Sequence, residues 1–167
     1  NVRYHAGNAL EVGCLYPMAQ QQALHEGMTA AGETEVLSLG RAAFAGSQRY
    51  GAAIWSGDIH STWEDLRQQV RAGLNIGLSG IPWWTTDIGG FFGGEVDTPY
   101  FQELIVRWFQ YGAFCPLFRL HGWRNSSLAH PETSDPTRGG PNEVWSFGDQ
   151  AYAIISGLLQ LRERLRP

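Results

Sequence analysis

What most constrains this chain is one pattern met four times: an apolar stretch that runs into an ionisable side chain, followed by residues at helical spacing. Glu35-Val36-Leu37-Ser38-Leu39-Gly40 ends in Arg41, and Ala52-Ala53-Ile54-Trp55 passes through Ser56-Gly57 into Asp58. Gly80-Ile81-Pro82-Trp83-Trp84 leads to Asp87, and Cys115-Pro116-Leu117-Phe118-Arg119-Leu120 leads to His121. Alternating strands and helices, with the strands apolar, indicate an α/β fold with a parallel sheet covered by helices. In such folds the C-terminal ends of the strands converge on the active site. A single ionisable residue there would be chance. Four in succession mark a site.

The intervening segments carry helix signals. Pro17 suits a first turn and Gly27 and Gly32 bracket the end, so a helix is expected from about Pro17 to Ala30. Ala42 to Gly51 is a glycine-punctuated connection. Ser61 to Glu64 has the spacing of a capping box, and Trp63, Leu66, Val70 and Leu74 behind it share one helical face. Thr98-Pro99 starts another helix, with Phe101, Leu104, Ile105, Trp108 and Phe109 on its apolar stripe. A last helix is expected over about Val144 to Leu165, turning Ala151, Ile154, Ile155, Leu158 and Leu161 inward. Gly89, Gly90, Gly93 and Gly94 read as a mobile loop whose backbone can approach a ligand, and Asn125 to Pro141 as a long polar surface loop.

Composition narrows the function. At 167 residues, 43% hydrophobic and 17% charged, the chain has the make-up of one globular domain with a real core. The net charge is −4 and no basic run precedes the last few residues, so nucleic acid is not an expected partner. No apolar run approaches the ~18 residues of a membrane span, and no leader peptide is visible. The chain starts at Asn1 without a Met and reads as a segment of something longer. Seven Trp, six Tyr and eight Phe fit either an aromatic core or a cleft for sugars or aromatic ligands. Cys14 and Cys115 lie far apart with no metal-ligand spacing and read as two buried thiols.

Asp58 has a capping alternative, but Ser61 is better placed for that, and a carboxyl flanked by aromatic surface is suited to general-acid work. Asp87 is either a turn residue or a carboxylate that accepts sugar hydroxyls. His121 gains weight from its place at a strand end, and Arg41 needs a buried anion or hydroxyl as partner. Trp55, Trp84 and Phe91 fit core and site equally, while Arg119 and Trp123 could face either way. His5, His25, His60 and His130 are set aside. There is no G-x-S-x-G elbow and no phosphate-binding glycine loop.

Taken together, Trp55-Ser56-Gly57-Asp58, Gly77-Leu78-Ser79-Gly80-Ile81-Pro82, Asp87-Ile88-Gly89-Gly90-Phe91 and Arg119-Leu120-His121-Gly122 closely resemble the catalytic domain of glycoside hydrolase family 31. That family includes α-glucosidases and α-xylosidases, and the likeness runs in unbroken order from about Leu39 to Gly122. The resemblance implies a (β/α)8 TIM barrel of which residues 1–167 are the C-terminal half, about four βα units corresponding to strands 5–8. It implies a retaining, exo-acting α-glycosidase that uses two carboxyl groups about 5–5.5 Å apart. Within it Asp58 corresponds to the general acid/base, Arg41 to the arginine of the −1 subsite, Asp87 and His121 to holders of sugar hydroxyls, and Trp55 and Phe91 to the aromatic wall.

The family's nucleophile, an Asp ending strand four, lies upstream of this segment; Glu11 and Glu26 are the acids between Asn1 and Ala30, and neither ends a strand. The expected partners are a carbohydrate substrate and the missing N-terminal half of the barrel, with no nucleic acid, membrane, metal or cofactor. Alone, the segment is expected to be inactive. A non-catalytic sugar-binding homologue on the same barrel is the alternative.

Overall fold

The computed structural model describes residues 2–125 and 139–166. They fall into two units, one of Asn1–Trp55 with Leu74–Trp84 and one of Ser56–Gly73 with Thr85–Pro167.

The first unit opens with β1 (Arg3–Tyr4) and β2 (Gly7–Asn8), an antiparallel pair that the sequence reading did not foresee. A short α1 (Ala9–Val12) follows, its first turn capped by the Asn8 side chain, which accepts from Leu10 N at 2.9 Å. The expected helix is present as α2 (Tyr16–Ala30), with Pro17 in its first turn. The next strand is shorter than the sequence suggests: β3 covers Ser38–Gly40, followed directly by Arg41. It runs parallel to β4 (Ala52–Trp55), with Ser38 opposite Ala52 and Gly40 opposite Ile54. Gly51 is needed just before β4. Its φ is +68°, and a Cβ there would stand 1.9 Å from Val36 O. Ile54 N–H donates to Trp83 O at 2.9 Å, which brings the next strand onto the same sheet.

α3 (Trp63–Leu78) is where the sequence places it, but its cap is shifted by one residue. Thr62 Oγ1, not Ser61, accepts from Asp65 N at 3.1 Å, and Asp65, not Glu64, reaches back to His60 N at 2.7 Å. Glu64 instead pairs with Arg67 and Gln68 on the solvent side. Leu66 is buried, whereas Val70 and Leu74, further along the expected face, are exposed. The strand expected from Gly80 begins only at the end of that stretch, as β5 (Trp84–Thr85). Gly80 sits at φ +84°, outside strand geometry, and Pro82 offers no N–H to a neighbour.

In the second unit β6 (Phe92–Glu95) forms within the glycine-rich stretch expected to be a mobile loop. The glycines there approach the protein's own atoms: a Cβ on Gly90 would lie 2.6 Å from the His60 backbone, and one on Gly94 2.3 Å from the Phe101 ring. α4 (Pro99–Gly112) begins as expected, with Thr98 Oγ1 accepting from Phe101 N at 3.3 Å. Phe101, Leu104, Ile105, Trp108 and Phe109 are all fully enclosed and form the core.

The strand expected over 115–121 is reduced to one bridge between Ile88 and Leu120. Pro116 lacks an N–H, and Arg162 takes the carbonyls of Ala113, Cys115 and Pro116 at 2.8, 2.8 and 3.2 Å, which leaves little backbone for a ladder. Pairing resumes further on, where β7 (Trp123–Asn125) runs parallel to β6. The last helix is broken: a 3-10 turn at Val144–Phe147 and Gly148 at φ +88° precede α5 (Asp149–Arg164). α5 packs through Ala151, Ile155 and Leu158, while Ile154, expected inside, faces out. Of the two thiols expected to be buried, Cys115 is and Cys14 is exposed. Most of the polar loop expected at 125–141, His130 included, lies outside the described residues.

Candidate active site

The site begins at the joint between the turn before Asp58 and the backbone at Asp87. Gly57 takes φ +72°, a left-handed conformation that swings the chain off the end of β4 and presents Asp58 to solvent. Ser56 Oγ holds that turn: it donates to Gly57 O at 3.1 Å and accepts from Asp87 N at 3.3 Å and Thr86 Oγ1 at 3.4 Å. Trp108 Nε1 donates to Thr86 Oγ1 at 3.4 Å, which anchors the joint in the core. Asp58 itself is exposed, so the enclosure expected for it is not supplied by the described residues.

Asp87 is the opposite case. Its side chain is fully buried, and Oδ1 accepts a charge-assisted hydrogen bond from Arg119 Nη2. No surface of Asp87 is open to a sugar hydroxyl. The polar group it offers outward is Arg119, whose side chain is 29% exposed. Burial pushes the Asp87 carboxyl above its ordinary value; the charges of Arg119 and His121 pull it down, Asp58 pushes it up, and Arg124 pulls it down. Asp58, His121 and Arg119 therefore all stand within electrostatic reach of Asp87.

The His121 ring lies 5.4 Å from that of Phe91, and the Phe91 ring 4.7 Å from that of Phe92 in an edge-on arrangement. The second unit thus brings together Asp58, Asp87, Phe91 and His121 from three separate loops. In the first unit Arg41 and Trp55 meet, with the guanidinium carbon 5.2 Å from the ring centroid. Arg41 itself is exposed. Trp84 is buried in the sheet.

Sequence reasoning missed Arg124. It sits among the best-buried side chains, and burial draws its pKa down to about 10. The density of glycines at Gly89, Gly90, Gly93, Gly94 and Gly122 was the available signal that something large approaches the backbone. Among the described residues no group of three or more His, Cys, Asp or Glu is placed to hold a metal ion.

An exposed carboxyl thus stands near a buried ion pair, an imidazole and an aromatic ring. The model of the family 31 glycosyl hydrolase TIM-barrel domain matches residues 2–167. The chain belongs to glycosyl hydrolase family 31.

A family 31 protein of Pseudescherichia vulneris, named as an uncharacterized glucosidase, is 56% identical over 128 residues, covering 77% of this chain and 24% of its own length. The α-xylosidase of Saccharolobus solfataricus is 39% identical over 167 residues, covering all of this chain and 21% of its own. The crystal structure of a family 31 α-xylosidase from a soil metagenome, complexed with xylose, superposes with a TM-score of 0.90 at 55% identity, over all of this chain and 25% of that one. The chain spans about a quarter of the length of these family 31 relatives, and its fold is that of an α/β-barrel fragment.

Proposed function

We propose that residues 1–167 are the C-terminal half of a family 31 catalytic barrel, carrying strands 5–8 of a retaining, exo-acting α-glycosidase. Asp58 is the general acid/base, which protonates the leaving oxygen and later activates water. The nucleophilic carboxylate comes from outside this chain. Arg41 and Trp55 line the −1 subsite. Phe91 and His121 hold the sugar directly, and Asp87 acts on it through Arg119. We take α-xylosides as the preferred substrates, because the 55%-identical structure is an α-xylosidase complexed with xylose and the Saccharolobus relative bears the same name.

The observation that carries this reading is the exposure of Asp58 on a turn fixed by Gly57 and Ser56, within the field of the buried Asp87. An acid/base must reach both the glycosidic oxygen and water, and a rigid turn supplies that reach.

The test is Asp58→Asn in the full-length protein. Turnover of alkyl α-xylosides should fall by roughly 10²–10⁴-fold, whereas α-xylosyl fluoride, whose leaving group needs no proton, loses far less in its first step. Equal losses on both substrates would remove Asp58 from the acid role.

A further inference from the structure

We propose that Arg124 is the positioning residue of the sugar-binding wall: buried beneath the loop from Asp87 to Gly93, it fixes Phe91 and the Asp87–Arg119 pair relative to the turn that carries Asp58. This rests on the glycosidase reading above.

The side chain is 1% exposed, and its hydrogen bonds among the described residues go to carbonyls, a hydroxyl and an amide. Nη1 donates to Gly90 O at 2.7 Å, with Ser61 Oγ at 3.3 Å, Gly89 O at 3.3 Å and Gly93 O at 3.4 Å around it. Nη2 donates to Ile88 O at 2.9 Å, and Nε to Asn142 Oδ1 at 2.7 Å. Its flat face lies 4.9 Å from the Phe101 ring centroid. Every carbonyl in this set belongs to the loop that carries Phe91, and Ser61 lies three residues beyond Asp58. Core stability alone is served as well or better by an apolar side chain at such a position. A guanidinium here gives geometry: five N–H donors in a rigid fork gather carbonyls that a glycine-rich loop would otherwise leave free to rearrange.

The neighbouring backbone is shaped around it. A Cβ on Gly89 would fall 2.7 Å from Nη2, and one on Gly122 2.5 Å from the guanidinium. Gly89 stands two residues after Asp87 and Gly122 directly after His121, so both site residues adjoin positions where a side chain would displace Arg124. Phe91 is gripped from both sides as well, with its N–H on Ile59 O at 2.8 Å and its carbonyl accepting from Trp123 N at 2.6 Å. Arg124 touches no sugar. It sets where the groups that do so stand.

The experiment compares the full-length wild type with Arg124→Lys and Asn142→Ala, measuring the KM for an aryl α-xyloside and the competitive Ki of xylose. Both constants are independent of how much of the protein is folded, so a purely structural loss cannot move them. Lysine keeps the charge and loses the fork, and should raise both constants by roughly tenfold or more. Asn142→Ala removes the anchor on Nε and should raise them by about two- to threefold. The pH profile of kcat/KM should keep its limbs in both variants, since Asp58 is untouched. Wild-type constants in either folded variant, with only Vmax or Tm reduced, would overturn the proposal; if Arg124→Lys does not fold, Asn142→Ala decides alone. A wild type that turns over no α-glycoside sinks the glycosidase reading and this inference together, whereas an active wild type with unmoved constants in the variants sinks the inference only.

Discussion

Asp87 and Asp58 have the same side chain and opposite environments, and the environment decides what each can do. Asp58 is exposed to solvent; Asp87 is sealed against Arg119. Because burial raises the folded-state pKa of Asp87 above its ordinary 3.8, the folded protein holds that proton to higher pH than the unfolded chain does. Its contribution to stability is fully present below the unfolded value and is lost as pH rises through the folded one. The unfolding free energy of the wild type minus that of Asp87→Asn should therefore decline as pH rises from below 3.8 through the raised folded-state value. Urea titrations across that range check it, and a flat or rising difference contradicts the assignment. Asp58, Asp87 and His121 stand out in the sequence because each follows an apolar stretch. Arg119 and Arg124 do not: Asp87 and the glycine-loop carbonyls they bind lie more than thirty residues away in sequence, and a charged side chain gives no local sign that it will be buried.

At the scale of elements, helices fared better than strands. A helix satisfies its backbone from within four residues, so α2 and α4 follow their proline starts, and α4 its apolar spacing too. A strand satisfies its backbone on a neighbour, and β3, β5 and the stretch at 115–121 are shortened by glycines, prolines and the claims of Arg162. The cap of α3 shows how finely the choice is made. Ser61 and Thr62 are both competent N-caps, but Ser61 Oγ is taken up by Arg124 and Thr62 closes the helix. Thr62→Ala should cost about 1 kcal/mol of unfolding free energy. Glu64→Ala should leave it unchanged within error, since Glu64 is a solvent-side residue. A capping box at Ser61 and Glu64 would give the reverse order.

For the molecule as a whole, the proposed division of the two catalytic carboxyls between this chain and a segment outside it has a direct consequence. The isolated 167-residue chain should show no turnover of aryl α-xyloside or α-glucoside, since loss of one carboxylate of such a pair removes several orders of magnitude of rate. Measurable turnover by the purified chain would refute the placement of the nucleophile. Exposed Leu74 (66%) and Leu78 (88%) also make it prone to self-association, which Leu74→Gln with Leu78→Gln should reduce in size-exclusion light scattering. By itself the sequence determined the α/β alternation, the starts of α2 and α4 and the family, because these rest on spacing within one or two turns and on short motifs in order. Only the tertiary structure decided that Asp87 turns inward to Arg119, that β6 pairs with β7, and that Arg124 organises the glycine loop. Each of these is a choice among distant partners, and burial settles it by denying water to whatever is left unpaired.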